Sequence, residues 1–320
     1  LACAAAPDLA FMKFNEFRAH LPAGAQLFSL FPANPGLLGL MAEIMGNAPR
    51  LADRLSRRPI LLDGVLAADF FDPLPDAGTL KKEAERALEL ATDFEGVLNT
   101  TRRWSKDRKF QLGVQMLRNR TDAEATATAF SDIGDILFNL LQPRVEEAFA
   151  EQYGAIPGAG MAVIAMGKLG SREMTVASDV DMIFVYSDTP DDAVSTGAKP
   201  LMPAVYFSRM AQRLINALIA PTAEGELYEV DMRLRPSGAS GPIACSLDAF
   251  RKYQSDSAWV WEHMALTRAR AVTGKESLRN QIDEAIRDIL TQPRDPGTLA
   301  AEVADMRRRI ADSFPGTSPW

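Results

Sequence analysis

Apolar positions along most of this chain recur every three or four residues, and between Met161 and Asp231 strand-like runs interrupt that spacing. From Gly36 to about Gly154 the pattern predicts helices throughout. Leu37, Leu38, Leu40, Met41, Ile44 and Met45 form one stripe that ends near Gly46 and Asn47, and Leu51 to Phe71 continues in short helices separated by Pro59 and Gly64. A longer helix is predicted from Thr79 through Ala91, another over Thr100 to Leu117, and a third behind a capping box of Thr121 and Glu124. That third helix carries Phe130, Ile133, Leu137, Leu141 and Val145 in a stripe expected to lie against the strands that follow.

Met161 to Met166 is short and wholly apolar between Gly160 and Gly167, which fits a buried strand. Asp179 to Tyr186 alternates, with Val180, Met182, Phe184 and Tyr186 on one face and Asp179, Asp181, Ile183 and Val185 on the other. Asp188 to Pro203 reads as a loop at the rim of whatever these strands build, a helix runs from about Val205 to Ala220, and Leu227 to Val230 is strand-like. The order is therefore strand, strand, helix, strand. Helices return around Leu247 to Tyr253, from Ala258 to about Val272, and twice more beyond Glu276. The division this implies is a helical subdomain over 1–154, a core over 155–245 and a helical extension over 246–320.

The candidate chemistry lies in the strand-rich stretch. Asp179 and Asp181 point the same way, and two anions side by side repel each other unless a cation lies between them, which suggests Mg²⁺ bridging carboxylates and phosphate oxygens. Asp231, on the next strand-like run, supplies a third carboxylate. Gly167, Gly170 and Ser171 permit a tight turn whose amides and hydroxyl approach a phosphate, with Lys168 between them as a point charge. Arg102, Arg103, Lys106, Arg108 and Lys109 form a basic cluster that reads as a solvated helix face in preference to a phosphate grip. Trp259 and Trp261 read as core packing rather than a stacking platform, and His263 as a structural hydrogen-bonding group.

Composition narrows the partners. At 320 residues and a formal net charge of -7, the chain is large enough for two or three domains but too acidic for a broad nucleic-acid surface; a small nucleotide remains compatible. Cys3 and Cys245 are too few for a disulfide framework or a thiolate zinc site, so a reducing, cytoplasmic setting is expected. The first residues lack a signal-peptide pattern and no apolar run is long enough to span a bilayer, so no membrane partner is expected. Leu1 is not a natural start and the chain stops abruptly at Trp320, which suggests a piece of a longer protein.

GKLGS followed by SDVDMIFVY, then YEVDMRLRPSG and WVWEHMALTRAR, resembles the bacterial bifunctional glutamine synthetase adenylyltransferase/adenylyl-removing enzymes, over a stretch from about Leu30 to Met306. The resemblance implies an α+β fold with a polymerase-β-type nucleotidyltransferase core, a small mixed sheet, flanked by helical subdomains. It implies two Mg²⁺ ions on Asp179, Asp181 and Asp231, ATP as substrate held through Gly167, Lys168, Gly170, Ser171, Ser178, Arg233 and Arg235, glutamine synthetase as target and the PII signal protein as regulator. That family carries two homologous halves, one attaching AMP to a tyrosine and one removing it by phosphorolysis. Ser237 after the Arg233–Pro236 run, the Trp259–His263 segment and Leu61-Leu62-Asp63 resemble the attaching half, whereas Ile164–Gly167 and Met232 are closer to the removing one. An RNA nucleotidyltransferase and a non-catalytic nucleotide-sensing scaffold are the other readings, the first disfavoured by the acidic charge and the second by the presence of all three carboxylates.

Overall fold

The structure is a computed structural model and describes residues 6–20, 31–32, 34–67 and 69–313. Cys3, Leu30 and Trp320 lie outside the described residues. A small mixed sheet stands among helices. Strands β1 (Met161–Ala165) and β2 (Val180–Tyr186) pair antiparallel from Met161 opposite Tyr186 to Ala165 opposite Met182. Two short strands, β3 (Val230–Asp231) and β4 (Ala244–Ser246), both run parallel to β2, β3 at its start and β4 at its end. Strand β5 (Arg270–Ala271) closes the far edge, antiparallel to β1.

The alternation in β2 divides the sheet as expected. Val180, Met182, Phe184 and Tyr186 join Val163 in one apolar cluster with Ile133, Leu137 and Leu141 of the helix Ala123–Tyr153 and Leu214 and Leu218 of the helix Pro203–Ile219. Ile183 and Val185 join Ile164 and Cys245 in a second cluster with Phe250 of the helix Leu247–Asp256 and Leu278, Ile282 and Ile286 of the helix Glu276–Thr291. β1 and β2 are thus covered on both sides, which is why Met161 to Met166 is apolar without interruption. A third cluster, with Phe17, Leu40, Met41, Ile44, Leu55 and Leu62, belongs to the N-terminal helices. The helix Phe94–Leu117 joins it to the first, since Trp104 and Leu112 pack in one and Phe110 and Val114 in the other.

Local chemistry moves several predicted boundaries. The helix Ala77–Leu88 begins two residues before Thr79, because the Asp76 side chain accepts from the Thr79 amide, and it stops before Leu90, which is exposed. Asp122, not Thr121, caps the helix Ala123–Tyr153 by accepting from the Ala125 amide at 2.7 Å. The predicted helix from Ala258 to Val272 is only Val260–Leu266, and its expected continuation is β5. β4 and β5 are too short for alternation to reveal. Leu227 and Tyr228 are buried but precede β3 rather than belonging to it.

The basic cluster is the largest departure. Arg102 is wholly buried, and its guanidinium donates to the carbonyls of Ala217 (2.9 Å), Ala220 (2.7 Å), Gly225 (2.7 Å) and Leu98 (3.1 Å). It satisfies carbonyls at the negative end of the helix Pro203–Ile219, where no further turn exists to donate to them. Trp259 and Trp261 also depart from the core reading, at 70% and 37% exposure. Their helix has one turn of apolar purchase, through Leu266, and Glu262 is drawn inward instead by the Tyr253 hydroxyl at 2.8 Å and the Trp259 amide at 2.8 Å. His263 does bond structurally, to the Gln254 carbonyl and to Arg294. Among the described residues no helix is long and apolar enough to cross a membrane.

Candidate active site

Parallel pairing of β2 and β3 sets Asp181 opposite Asp231 in register, so two carboxylates far apart in sequence stand on neighbouring strands at one end of the sheet. Asp179, two residues before Asp181, is exposed at the same end. The glycine turn after β1 approaches from the other side. Gly167 has φ +54°, and a Cβ added there would lie 2.2 Å from the Asp181 carboxylate oxygen Oδ2, so the carboxylate rests directly against the glycine backbone. A side chain at residue 167 and a carboxylate at Asp181 cannot occupy this arrangement together.

Electrostatics mark Asp181 as the crowded member. Partial burial, then the neighbouring charges of Asp179 and Asp231, push its carboxyl above the usual carboxylate range, against the pull of Arg233 and Arg268. Asp231 goes the other way. Arg233 bonds it twice, Nε to Oδ2 at 2.7 Å and the backbone amide to Oδ1 at 2.8 Å, and holds it below the usual range. Among the described residues, no group of three His, Cys, Asp or Glu side chains is gathered tightly enough to close on a metal as it stands. The donor chemistry nevertheless suits a hard divalent cation, since Asp181 is an under-compensated carboxylate beside two others. Arg233, which pairs with Asp231, is itself on the surface.

The expected phosphate-binding residues divide into free and committed groups. Lys168 is exposed on the single helical turn Gly167–Gly170. The Ser171 hydroxyl lies 3.0 Å from the Gly167 carbonyl and 2.8 Å from Glu173 Oε2, and accepts from Arg268 Nη2 at 2.8 Å. Ser178 accepts from the Thr175 amide at 2.9 Å, which closes the loop just before Asp179. Arg235 donates to the carbonyls of Met232 (2.8 Å), Ala239 (3.2 Å) and Gly241 (3.4 Å), stapling the turn that follows β3.

Several residues that brace the site were not among the expected site residues, although Arg268 and Arg270 end the WVWEHMALTRAR stretch. Arg268 pairs with Glu173 beside Ser171. Arg270, on β5, donates to the carbonyls of Leu169 (3.0 Å) and Gly170 (3.1 Å) and to Asp135 at 2.8 Å, while Arg172, at φ +61°, pairs with Asp132 and Asp135 from the same helix. The glycine turn is thus clamped by a helix about 35 residues upstream and a strand about 100 residues downstream. The signal was present in two forms: Asp132 and Asp135 at helical spacing, and Arg268 and Arg270 at strand spacing. Neither spacing says which turn they would meet. Gly170 is fixed by the same clamp, because a Cβ there would lie 1.9 Å from the Arg268 carbonyl oxygen.

Comparison with known sequences places this geometry. The family described as glutamate-ammonia ligase adenylyltransferase matches residues 38–285. Relatives named bifunctional glutamine synthetase adenylyltransferase/adenylyl-removing enzyme include one from Mesorhizobium japonicum, 46% identical over 313 residues, and one from Brucella melitensis, 45% identical over 313 residues. Another, from Bradyrhizobium diazoefficiens, is 42% identical over all 320 residues. These alignments cover 98–100% of this chain and 32% of each relative, so the chain spans about a third of their length. A match over most of its residues, through both the glycine turn and the Asp231 strand, makes this chain a member of the glutamate-ammonia ligase adenylyltransferase family.

Proposed function

We propose that this chain is a nucleotidyltransferase unit that moves AMP from ATP to a tyrosine hydroxyl of glutamine synthetase, releasing pyrophosphate, in the cytoplasm and under control of the PII signal protein. The observation that carries the reading is the register of β2 and β3, which pairs Asp181 with Asp231 beside a glycine turn that no side chain could share with them. On this reading residues 155–245 form a polymerase-β-type core between helical subdomains at 1–154 and 246–320.

The chain's own groups then have distinct tasks. The amides of Gly167–Ser171 and the charges of Lys168 and Arg268 hold the phosphates, with Ser171 and Ser178 shaping the loops on either side of the turn. Asp179, Asp181 and Asp231 would hold Mg²⁺, which when bound supplies charge neutralisation and alignment of the reacting phosphate. The tyrosyl oxygen attacks the α-phosphorus, the bond to the β-phosphate oxygen breaks, and pyrophosphate departs. A phenol loses its proton reluctantly at neutral pH. Asp231 is the carboxylate placed to orient or accept that proton, and separation from Arg233 would raise its basicity for the task.

Incubation of the chain with glutamine synthetase, Mg²⁺ and α-labelled ATP tests this, with adenylylated glutamine synthetase and phosphate in parallel. Label on the target, lost in Asp179→Ala with partner binding retained, supports the attaching reaction. ADP released from the modified target without labelling would assign the removing reaction instead. Full turnover by Asp179→Ala would sink the catalytic reading altogether.

A further inference from the structure

A cavity of about 720 Å³ opens between the N-terminal helices and the loop that leads into β3, and none of the residues assigned above to nucleotide or metal lines it. Its wall carries six cations, Arg50, Arg54, Arg57, Arg58, Lys106 and Lys109, against two carboxylates, Asp53 and Glu224. Both carboxylates are already committed. Asp53 pairs with Lys13 at 2.8 Å and Arg57 at 3.2 Å, and Glu224 pairs with Arg103 at 3.1 Å. Arg57 is met by Asp53, and Arg54 and Arg58 share one carboxylate outside the wall, Asp107, so the enclosure keeps an excess of positive charge that is local in a chain of net charge -7.

Several of these cations are incompletely met. Among the described residues Lys109 forms no hydrogen bond or ion pair, and its ammonium lies 3.8 Å from the centre of the buried Tyr228 ring. Lys106 is answered by the Glu224 backbone carbonyl and no carboxylate. Arg54 bonds Asp107 at 3.3 Å through one terminal nitrogen, but its Nε is buried without a partner. A buried donor left unmet costs free energy, and cations brought together without an anion repel. Burial, then Lys106 and Arg54, push the Lys109 ammonium down to about 7, the response of a group whose counterion is missing. Leu51, Phe110, Val176 and Leu227 give the same cavity apolar surface.

We infer that this cavity binds a small polyanion through a di- or triphosphate group, free or as the tail of a nucleotide, at a site separate from the aspartates. Its volume falls within the usual range of small-molecule sites. Its walls also reach both arms of the aspartate site: Val176 lies on the loop before Asp179, and Leu227 lies on the segment that enters β3 and Asp231. Occupancy is therefore placed to influence how those arms sit.

Titration calorimetry of the 320-residue chain with pyrophosphate, tripolyphosphate and ATP, in EDTA at neutral pH, separates this site from a metal-dependent one. Saturable binding is expected, weakened about tenfold by Lys106→Gln and by Lys109→Gln, the loss of one charge-assisted contact each. Arg50→Gln, at an exposed position, should weaken it in the same direction with circular dichroism and melting temperature unchanged. Asp181→Asn should leave it intact. ATP binding more tightly than tripolyphosphate would identify a nucleotide tail, and equal affinity a free polyphosphate. No binding in EDTA, or binding abolished by Asp181→Asn and untouched by the three cation variants, would overturn the inference.

Discussion

Gly167→Ala separates the geometry of the aspartate site from the stability of the fold. An alanine Cβ would lie 2.2 Å from Asp181 Oδ2, about 1 Å inside any tolerable contact. The obstructing atom is the end of a side chain, so Asp181 can rotate away and the backbone need not move. The remaining penalty is the left-handed conformation at φ +54°, which costs a non-glycine residue about 1–2 kcal/mol. For a chain of this size that is a fall in melting temperature of roughly 2–6 °C. The carboxylate, however, is displaced by about 1 Å from its register opposite Asp231, and a misplacement of that size costs about a hundredfold in rate. Melting curves and the labelled-ATP assay on the same preparation measure the two effects. A variant that keeps the wild-type rate would show that contact between Asp181 and the glycine turn is incidental. One that fails to fold would show that Asp181 has no room to yield.

Gly170→Ala should behave oppositely, since its Cβ would meet two backbone oxygens, of Arg268 at 1.9 Å and Ala165 at 2.6 Å, and neither can rotate away; loss of soluble folded protein on expression is the expected outcome. Asp181→Asn should raise the melting temperature at neutral pH without metal, because it removes the crowded charge of the three, while abolishing transfer; a lower melting temperature would argue against the repulsion. Arg102→Met leaves the carbonyls of Ala217, Ala220 and Gly225 without their donor in a buried setting, and should cost at least about 3 kcal/mol in urea unfolding. Lys109 titrates in the folded chain at about 7, below its ordinary value of 10.5, so the unfolded chain binds more protons between those limits and this group's contribution makes stability rise with pH across that window. Lys109→Met should flatten that rise, seen in melting temperatures at pH 7 and 9.5.

What the sequence disclosed about this site is what local spacing can carry. Alternation assigned the two faces of β2 and set Asp179 and Asp181 together, and the apolar run before Gly167 placed β1. Asp231 could be identified as a third carboxylate, but its partner could not, because parallel pairing joins segments separated by a loop and a whole helix. The short strands β4 and β5 have too few residues for a period to register. Exposure of Trp259 and Trp261 was also illegible, since two aromatics at a helix start look the same whether or not another element covers them.

Charge was the least readable property, and the basic run from Arg102 to Lys109 shows why. One turn of helix separates residues with opposite fates. Arg102 is consumed by carbonyls of another helix, Arg103 pairs with Glu224, and Arg108 pairs with Glu83. Lys106 and Lys109 face the cavity with no carboxylate to meet them. A helical wheel fixes the direction in which each side chain leaves the axis, but the cost of its charge depends on what other segments deliver there. Residues 217–225 deliver the carbonyls that use Arg102, and the residues just after them, Leu227 and Tyr228, lead into β3. The same segment that settles the fate of this basic run thus also leads into Asp231, so the helix Phe94–Leu117 is linked to the aspartate site through the hydrogen bonds of one buried guanidinium.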